Sequence, residues 1–220
     1  MAALLGSALT AATTAVASPD VDAAEALARD TYYEGVPTEA ARALGSAGVA
    51  RLIEMLGDPA EAPHHAQILE VLGMSGHRDA YAAVKAAAAD EPSGEVDRAE
   101  LRKRVAVLVA LGHLARDDDR ALADLATVVW VESVRAPRWS HGRLHGARLS
   151  GLMRRGAVSA LATSGRHEAR ASLQRLERQA GSDPELQRHV RSALRRLERA
   201  PQRTIESGPD APRRDRGVGR

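Results

Sequence analysis

The 220-residue chain has no cysteine, no phenylalanine and no asparagine, and only two lysines, Lys85 and Lys103. Without cysteine there is no disulfide framework, no thiolate zinc site and no cysteine nucleophile. Aromatic residues make up 2% of the chain, so a core must be assembled from alanine, leucine and valine. Those residues suit closely packed helices better than sandwiches or barrels, which lean on aromatic and β-branched strand formers. The expected class is therefore all-α. Past the N-terminus no stretch reaches the ~18 apolar residues of a membrane helix, so no transmembrane segment is expected in the mature chain. Lysine scarcity beside abundant arginine follows from a GC-rich codon bias and is weak grounds for phosphate binding.

The net charge of +2 conceals a division. Residues 1–134 carry 11 basic against 21 acidic side chains, whereas residues 135–220 carry 20 arginines against 8 acids. An asymmetry of this size could draw the halves together, pair molecules head to tail, or offer the basic half to an acidic partner.

The ends differ in composition from the middle. Residues 1–17 are small and uncharged and close on Ala15-Val16-Ala17 before Ser18-Pro19-Asp20, an A-x-A cleavage pattern, although no basic residue precedes Arg29. They are read as a signal peptide, which predicts a periplasmic or secreted protein, or a cytoplasmic one if the segment is not a signal. Residues 18–37 are expected to form a terminal helix and turn that cover the first exposed face. Residues 200–220, rich in Pro, Gly and Arg, are expected to be a disordered basic tail.

Between them, residues 38–199 repeat one plan: an apolar helix ending near Leu-Gly or Leu-Ala, a polar turn, and a second apolar helix. The first helices close on Leu44, Leu72, Leu111 and Leu161, the first three followed by glycine. In the last three units the second helix carries an alanine and an apolar residue four positions on: Ala80 with Val84, Ala121 with Leu125, Ala169 with Leu173. That spacing puts both on one helical face. Leu101, Val105, Leu108 and Leu111 make a similar stripe on a first helix. Asp97 and Glu100 form a capping box, Asp117-Asp118-Asp119 caps a second helix, and Asp183-Pro184-Glu185 opens a closing helix.

This pattern resembles HEAT repeats, in particular the short bacterial type found in phycobilisome lyases. The resemblance implies a short right-handed α-solenoid of about four helix pairs and a closing helix. The anchor leucines are spaced by 28, 39 and 50 residues, against the usual ~40–47, with the extra residues falling between pairs near 90–96 and 135–147. Such insertions lengthen loops on one edge.

The insertion at 135–145 concentrates the chemistry. Arg135, Arg138, Trp139, His141, Arg143 and His145, with Arg154 and Arg155 beyond, are the candidate partner-binding residues, because a tryptophan flanked by arginine is typical of an interface hot spot. The alternative reading has Trp139 filling a gap between repeats. His141 and His145 are four apart, but Gly142 intervenes and no glutamate completes an H-E-x-x-H pattern, so no metal is assigned. No cofactor and no catalytic group is assigned either. The expectation is a non-catalytic scaffold or protein-interaction module with a protein partner. One alternative is nucleic-acid binding through Arg154, Arg155, Arg166, Arg170, Arg175 and Arg178, against which stand the signal sequence and the shortage of stacking aromatics. A cofactor lyase or chaperone subunit is a further alternative, implied by the resemblance alone.

Overall fold

The computed structural model describes residues 18–130, 137–180 and 183–199. Residues 1–17, read above as a signal peptide, Arg135 and residues 200–220, read as a basic tail, lie outside the described residues. Within them the chain is helical: α1 (Pro19–Arg29), α2 (Thr38–Arg42), α3 (Ser46–Gly57), α4 (His65–Ser75), α5 (Ala80–Ala89), α6 (Arg98–Leu114), α7 (Asp119–Trp130), α8 (Gly146–Ser164), α9 (His167–Gln179) and α10 (Pro184–Arg199). Two short strands, β1 (Gly94–Glu95) and β2 (Trp139–Ser140), are the only extended elements among the described residues.

The helix ends follow local chemistry. The Asp97 carboxylate accepts from the Glu100 amide at 2.8 Å and starts α6. Asp183 does the same for the Glu185 and Leu186 amides at α10, and Asp118 for the Arg120 amide at α7. These are the side-chain caps that satisfy otherwise orphaned N–H groups. At the other end, α4 and α8 stop on the same device. Ser75 and Ser164 each donate back to a leucine carbonyl at 2.7 Å, and Gly76 and Gly165 follow with φ of 65° and 70°. A left-handed residue at that point favours glycine because it has no Cβ to clash.

Consecutive long helices pack on one another, α4 on α6, α6 on α8 and α8 on α10. The intervening helices form a second layer: α5 packs on α4 and α6, α7 on α6 and α8, and α9 on α7, α8 and α10. All six residues of the alanine-plus-four spacing, from Ala80 and Val84 to Ala169 and Leu173, are fully buried. The close approach at the seams explains the glycines after the anchor leucines. A Cβ on Gly73 would fall 2.4 Å from the Ala110 Cα, and one on Gly112 would fall 2.8 Å from the Ala160 carbonyl oxygen. Each glycine thus meets the alanine just before the next anchor, the same contact made twice.

Two details differ from the sequence expectation. The predicted α6 stripe is only half right, since Leu108 and Leu111 are buried while Leu101 and Val105 are half-exposed. Helix α6 is surrounded by α4, α5, α7 and α8, so its buried surface wraps most of its circumference rather than one stripe. At the N-terminal end, α2 is one and a half turns long and packs on α4, while α3 packs chiefly on α1. The reason is electrostatic and local. Gly45, the N-cap of α3, offers no side chain, and the Asp20 carboxylate of α1 accepts from the Gly45 amide at 2.9 Å and from the Gly48 amide as well. The negative carboxylate at the positive end of α3 ties the two helices together.

Candidate functional site

The two insertions do not form separate loops. Strands β1 and β2 pair in parallel, with Gly94 opposite Trp139 and Glu95 opposite Ser140. The Gly94 amide donates to the Arg138 carbonyl at 3.0 Å and the Val96 amide to the Ser140 carbonyl at 2.8 Å. Glu95 locks the pair, accepting from the Ser140 hydroxyl at 2.7 Å and the Gly142 amide at 2.6 Å. The Gly142 amide and then the Ser140 hydroxyl hold its carboxyl below the ordinary range, because both donate to the charged form. The His141 Nδ1 lies 2.8 Å from the Val96 carbonyl, an acceptor, so that nitrogen carries the hydrogen.

Pairing turns the Trp139 side chain inward, where it is 4% exposed. The indole is packed inside rather than presented at the surface. Behind it opens a groove of about 770 Å³ between the end of α5 and helices α6, α7, α8 and α10. Trp139, Met153 and Leu186 give it apolar wall, Arg154 and Arg155 bring basic groups, and Glu91 and Asp183 bring acidic ones. Of the predicted site residues, the structure thus gathers Trp139, Arg154 and Arg155 along one groove. Arg138, Arg143 and His145 are exposed nearby and do not line it, and His141 is committed to the strand pair. Among the described residues no three His, Asp or Glu side chains are grouped to hold a metal ion.

The basic groups already have partners. Arg154 donates through Nε to the Val129 carbonyl in the last turn of α7 at 3.2 Å, and Arg155 pairs with Glu185 at 3.3 Å. Further along, Arg166 is nearly buried between Asp119 and Glu168, and Arg170 reaches Glu198. Three of the six arginines proposed to face phosphates, Arg155, Arg166 and Arg170, are thus paired with carboxylates of the same chain.

One set of functional positions was not visible as such in the sequence. Seven residues before each anchor leucine stand His65, Arg104 and Arg154, and each reaches the C-terminal end of the preceding second-layer helix. His65 Nε2 donates to the Asp58 carbonyl at 3.0 Å, just past α3. Arg104, 5% exposed, donates to the carbonyls of Ala87 and Asp90 at the end of α5 and pairs with Glu100. Donors there satisfy carbonyls that have no intrahelical partner, and the two arginines also place positive charge at the negative end of a helix. The signal was the fixed offset from Leu72, Leu111 and Leu161, visible only once those leucines are aligned.

A second unremarked group is His113, in the last turn of α6, whose Nδ1 is buried without a hydrogen-bond partner among the described residues. Burial, then the charges of Arg116 and Arg42, push its imidazolium down to a pKa of about 4. An unsatisfied buried polar atom costs about 1–3 kcal/mol, so this one calls for an explanation.

No known protein family, curated protein or solved structure matches the chain. Among the described residues no helix is long and apolar enough to cross a membrane.

Proposed function

We propose that the chain is a short right-handed α-solenoid of HEAT-like helix pairs that works as a non-catalytic protein-binding module, exported by residues 1–17. The solenoid reading is supported by the recurring seam, Gly73 on Ala110 and Gly112 on Ala160, and by the cap donors at a fixed offset from the anchor leucines. The binding reading rests on one observation: a groove of about 770 Å³, walled by Trp139, Met153 and Leu186, at the edge where the two insertions are tied together. Its volume and its mixture of apolar wall and sparse charge are those of a recognition cleft.

Gly151 provides the test, because a Cβ there meets only the tip of Arg155, at 3.4 Å. Gly151→Leu should fill the groove without disturbing the helix seams. Partners cross-linked to the wild-type protein in its native cell should be lost with Gly151→Leu while the urea midpoint is kept. Unchanged capture would remove the groove from the account. Sequencing the N-terminus of the same native protein tests export, which requires a mature chain beginning at Ser18.

For nucleic-acid binding the remaining support is the excess of 20 arginines over 8 acids in residues 135–220. A DNA titration across salt decides it, since phosphate binding must weaken steeply with salt.

A further inference from the structure

Helix α10 turns an apolar face inward and a charged face outward. Its Leu186, Val190, Ala193 and Leu197 are buried, and it packs on α8 and α9. Its two glutamates also turn to neighbouring helices, Glu185 to Arg155 of α8 at 3.3 Å and Glu198 to Arg170 of α9 at 4.0 Å. Arg188, Arg191, Arg195 and Arg199 remain exposed. Spaced three, four and four residues apart, they lie along one side of the helix. Arg191 pairs with Glu177, and Arg188, Arg195 and Arg199 have no partner among the described residues. The result is a stripe of arginines that, among the described residues, no further helix covers.

The other extreme of the packing is acidic. Contacts run from α1 through α4, α6 and α8 to α10, so α1 and α10 are the two ends of that order. Residues 19–42, covering α1, α2 and their connection, carry six carboxylates against Arg29 and Arg42, and Arg29 is held by Glu25 and Glu61. The carboxylates of Asp30, Glu34 and Glu39 are exposed and have no partner among the described residues. Tyr33, between Asp30 and Glu34, is 98% exposed, the only large apolar side chain so placed among the described residues. Arginine and tyrosine already meet once in this chain, with Arg120 over the Tyr81 ring at 4.2 Å.

We infer that the α10 arginine stripe of one molecule docks on the α1–α2 connection of a second copy, with the Tyr33 ring against a guanidinium and Asp30, Glu34 and Glu39 facing the others. The chain itself carries both halves of this contact, and the unpaired charges of each half are left over within one molecule. With a net charge of only +2, the copies do not repel one another as wholes. The two surfaces are different patches, so the contact is heterologous and repeats, each docked molecule leaving one free end of each kind. The groove beside Trp139 takes no part, so this inference stands apart from the partner-binding reading.

Sedimentation velocity on the full chain tests it. At about 10 mM salt, where charges act over ~30 Å, the mass should climb with concentration past twice that of the monomer. At about 1 M, where they act over ~3 Å, it should return to the monomer. Arg188→Glu with Arg195→Glu should weaken association about tenfold, as should Tyr33→Ser with Glu34→Lys. All four positions are exposed, so the urea midpoint should be kept. Each variant retains one intact surface, so the two mixed should form a one-to-one dimer that grows no further. Gly151→Leu should associate as the wild type does. A chain that stays monomeric in low salt, a wild-type assembly that stops at a dimer, or association that survives either pair of substitutions overturns the contact. So does a mixture of the two variants that stays monomeric, or a loss of association in Gly151→Leu.

Discussion

The seam through α4, α6 and α8 and the N-terminal end around α1 and α3 are held by different means. In the seam, backbone lies against backbone, with Gly73 on Ala110 and Gly112 on Ala160. At the N-terminal end polar ties, most of them between residues far apart in sequence, add to the apolar packing of α1 and α3. Asp20 holds the Gly45 and Gly48 amides, Glu25 pairs with Arg29 and Arg51, and the Gln67 amide donates to the Leu27 and Asp30 carbonyls. Close apolar contact tolerates no added atom, whereas a polar tie tolerates bulk but not the loss of its acceptor. The first kind of joint should therefore break on gain and the second on deletion.

The largest effect should come from adding one carbon to the seam. Gly73→Ala places that carbon 2.4 Å from the Ala110 Cα, and the two helices must separate along their length. Urea denaturation should register a loss of about 3 kcal/mol. A cost below that of an ordinary surface change would mean that α4 and α6 are not locked at this point.

Next comes the junction between the two regions, where Arg42 of α2 and Arg116 of α6 bear on His113. Its folded pKa of about 4 lies below the ordinary 6.5, so between those values the unfolded chain takes up a proton that the folded protein refuses. Stability is fully present above pH 6.5 and declines as the pH falls toward 4, by on the order of 2 kcal/mol. His113→Gln should flatten this part of the profile; an unaltered slope would assign it to other groups.

A smaller loss is expected from Asp20→Ala, about 1–2 kcal/mol, since a cap and its second hydrogen bond disappear together. Hydrogen exchange should quicken in α1 and α3 and stay unchanged in α6 and α8. Uniform acceleration would show that the two regions unfold as one unit. The smallest effect has the opposite sign. Gly151 lies inside α8 with room beside it, so Gly151→Ala should stabilise by about 0.5–1 kcal/mol, against the loss at Gly73 for the same change.

The same contrast explains what could be read from the sequence. Leu72-Gly73 and Leu111-Gly112 announced the seam because close packing demands small residues at regular intervals, and the alanine-plus-four spacing of Ala80, Ala121 and Ala169 announced the second layer. Asp20 announced nothing, being one of 29 acids with no spacing to connect it to Gly48. The first pair was accordingly drawn with α2 in the place that α1 occupies. Trp139 was legible as unusual, with a gap-filling role as one of its two readings, but the strand pairing that turns it inward, between insertions 45 residues apart, was not legible. His113 gave no signal, because a histidine among Val109, Leu111 and Leu114 is distinguished only by what α2 and α4 bring beside it.

The parallel strand pair has a mechanical consequence. Helices joined only by side-chain packing part more easily under tension than strands joined by backbone hydrogen bonds. Two backbone hydrogen bonds and the Glu95 carboxylate join the exit of α5 to the entry of α8, like a strap sewn across the helices between them. Under load this cross-link would resist separation of α5 from α8, two elements that the intervening α6 and α7 would otherwise leave free to part.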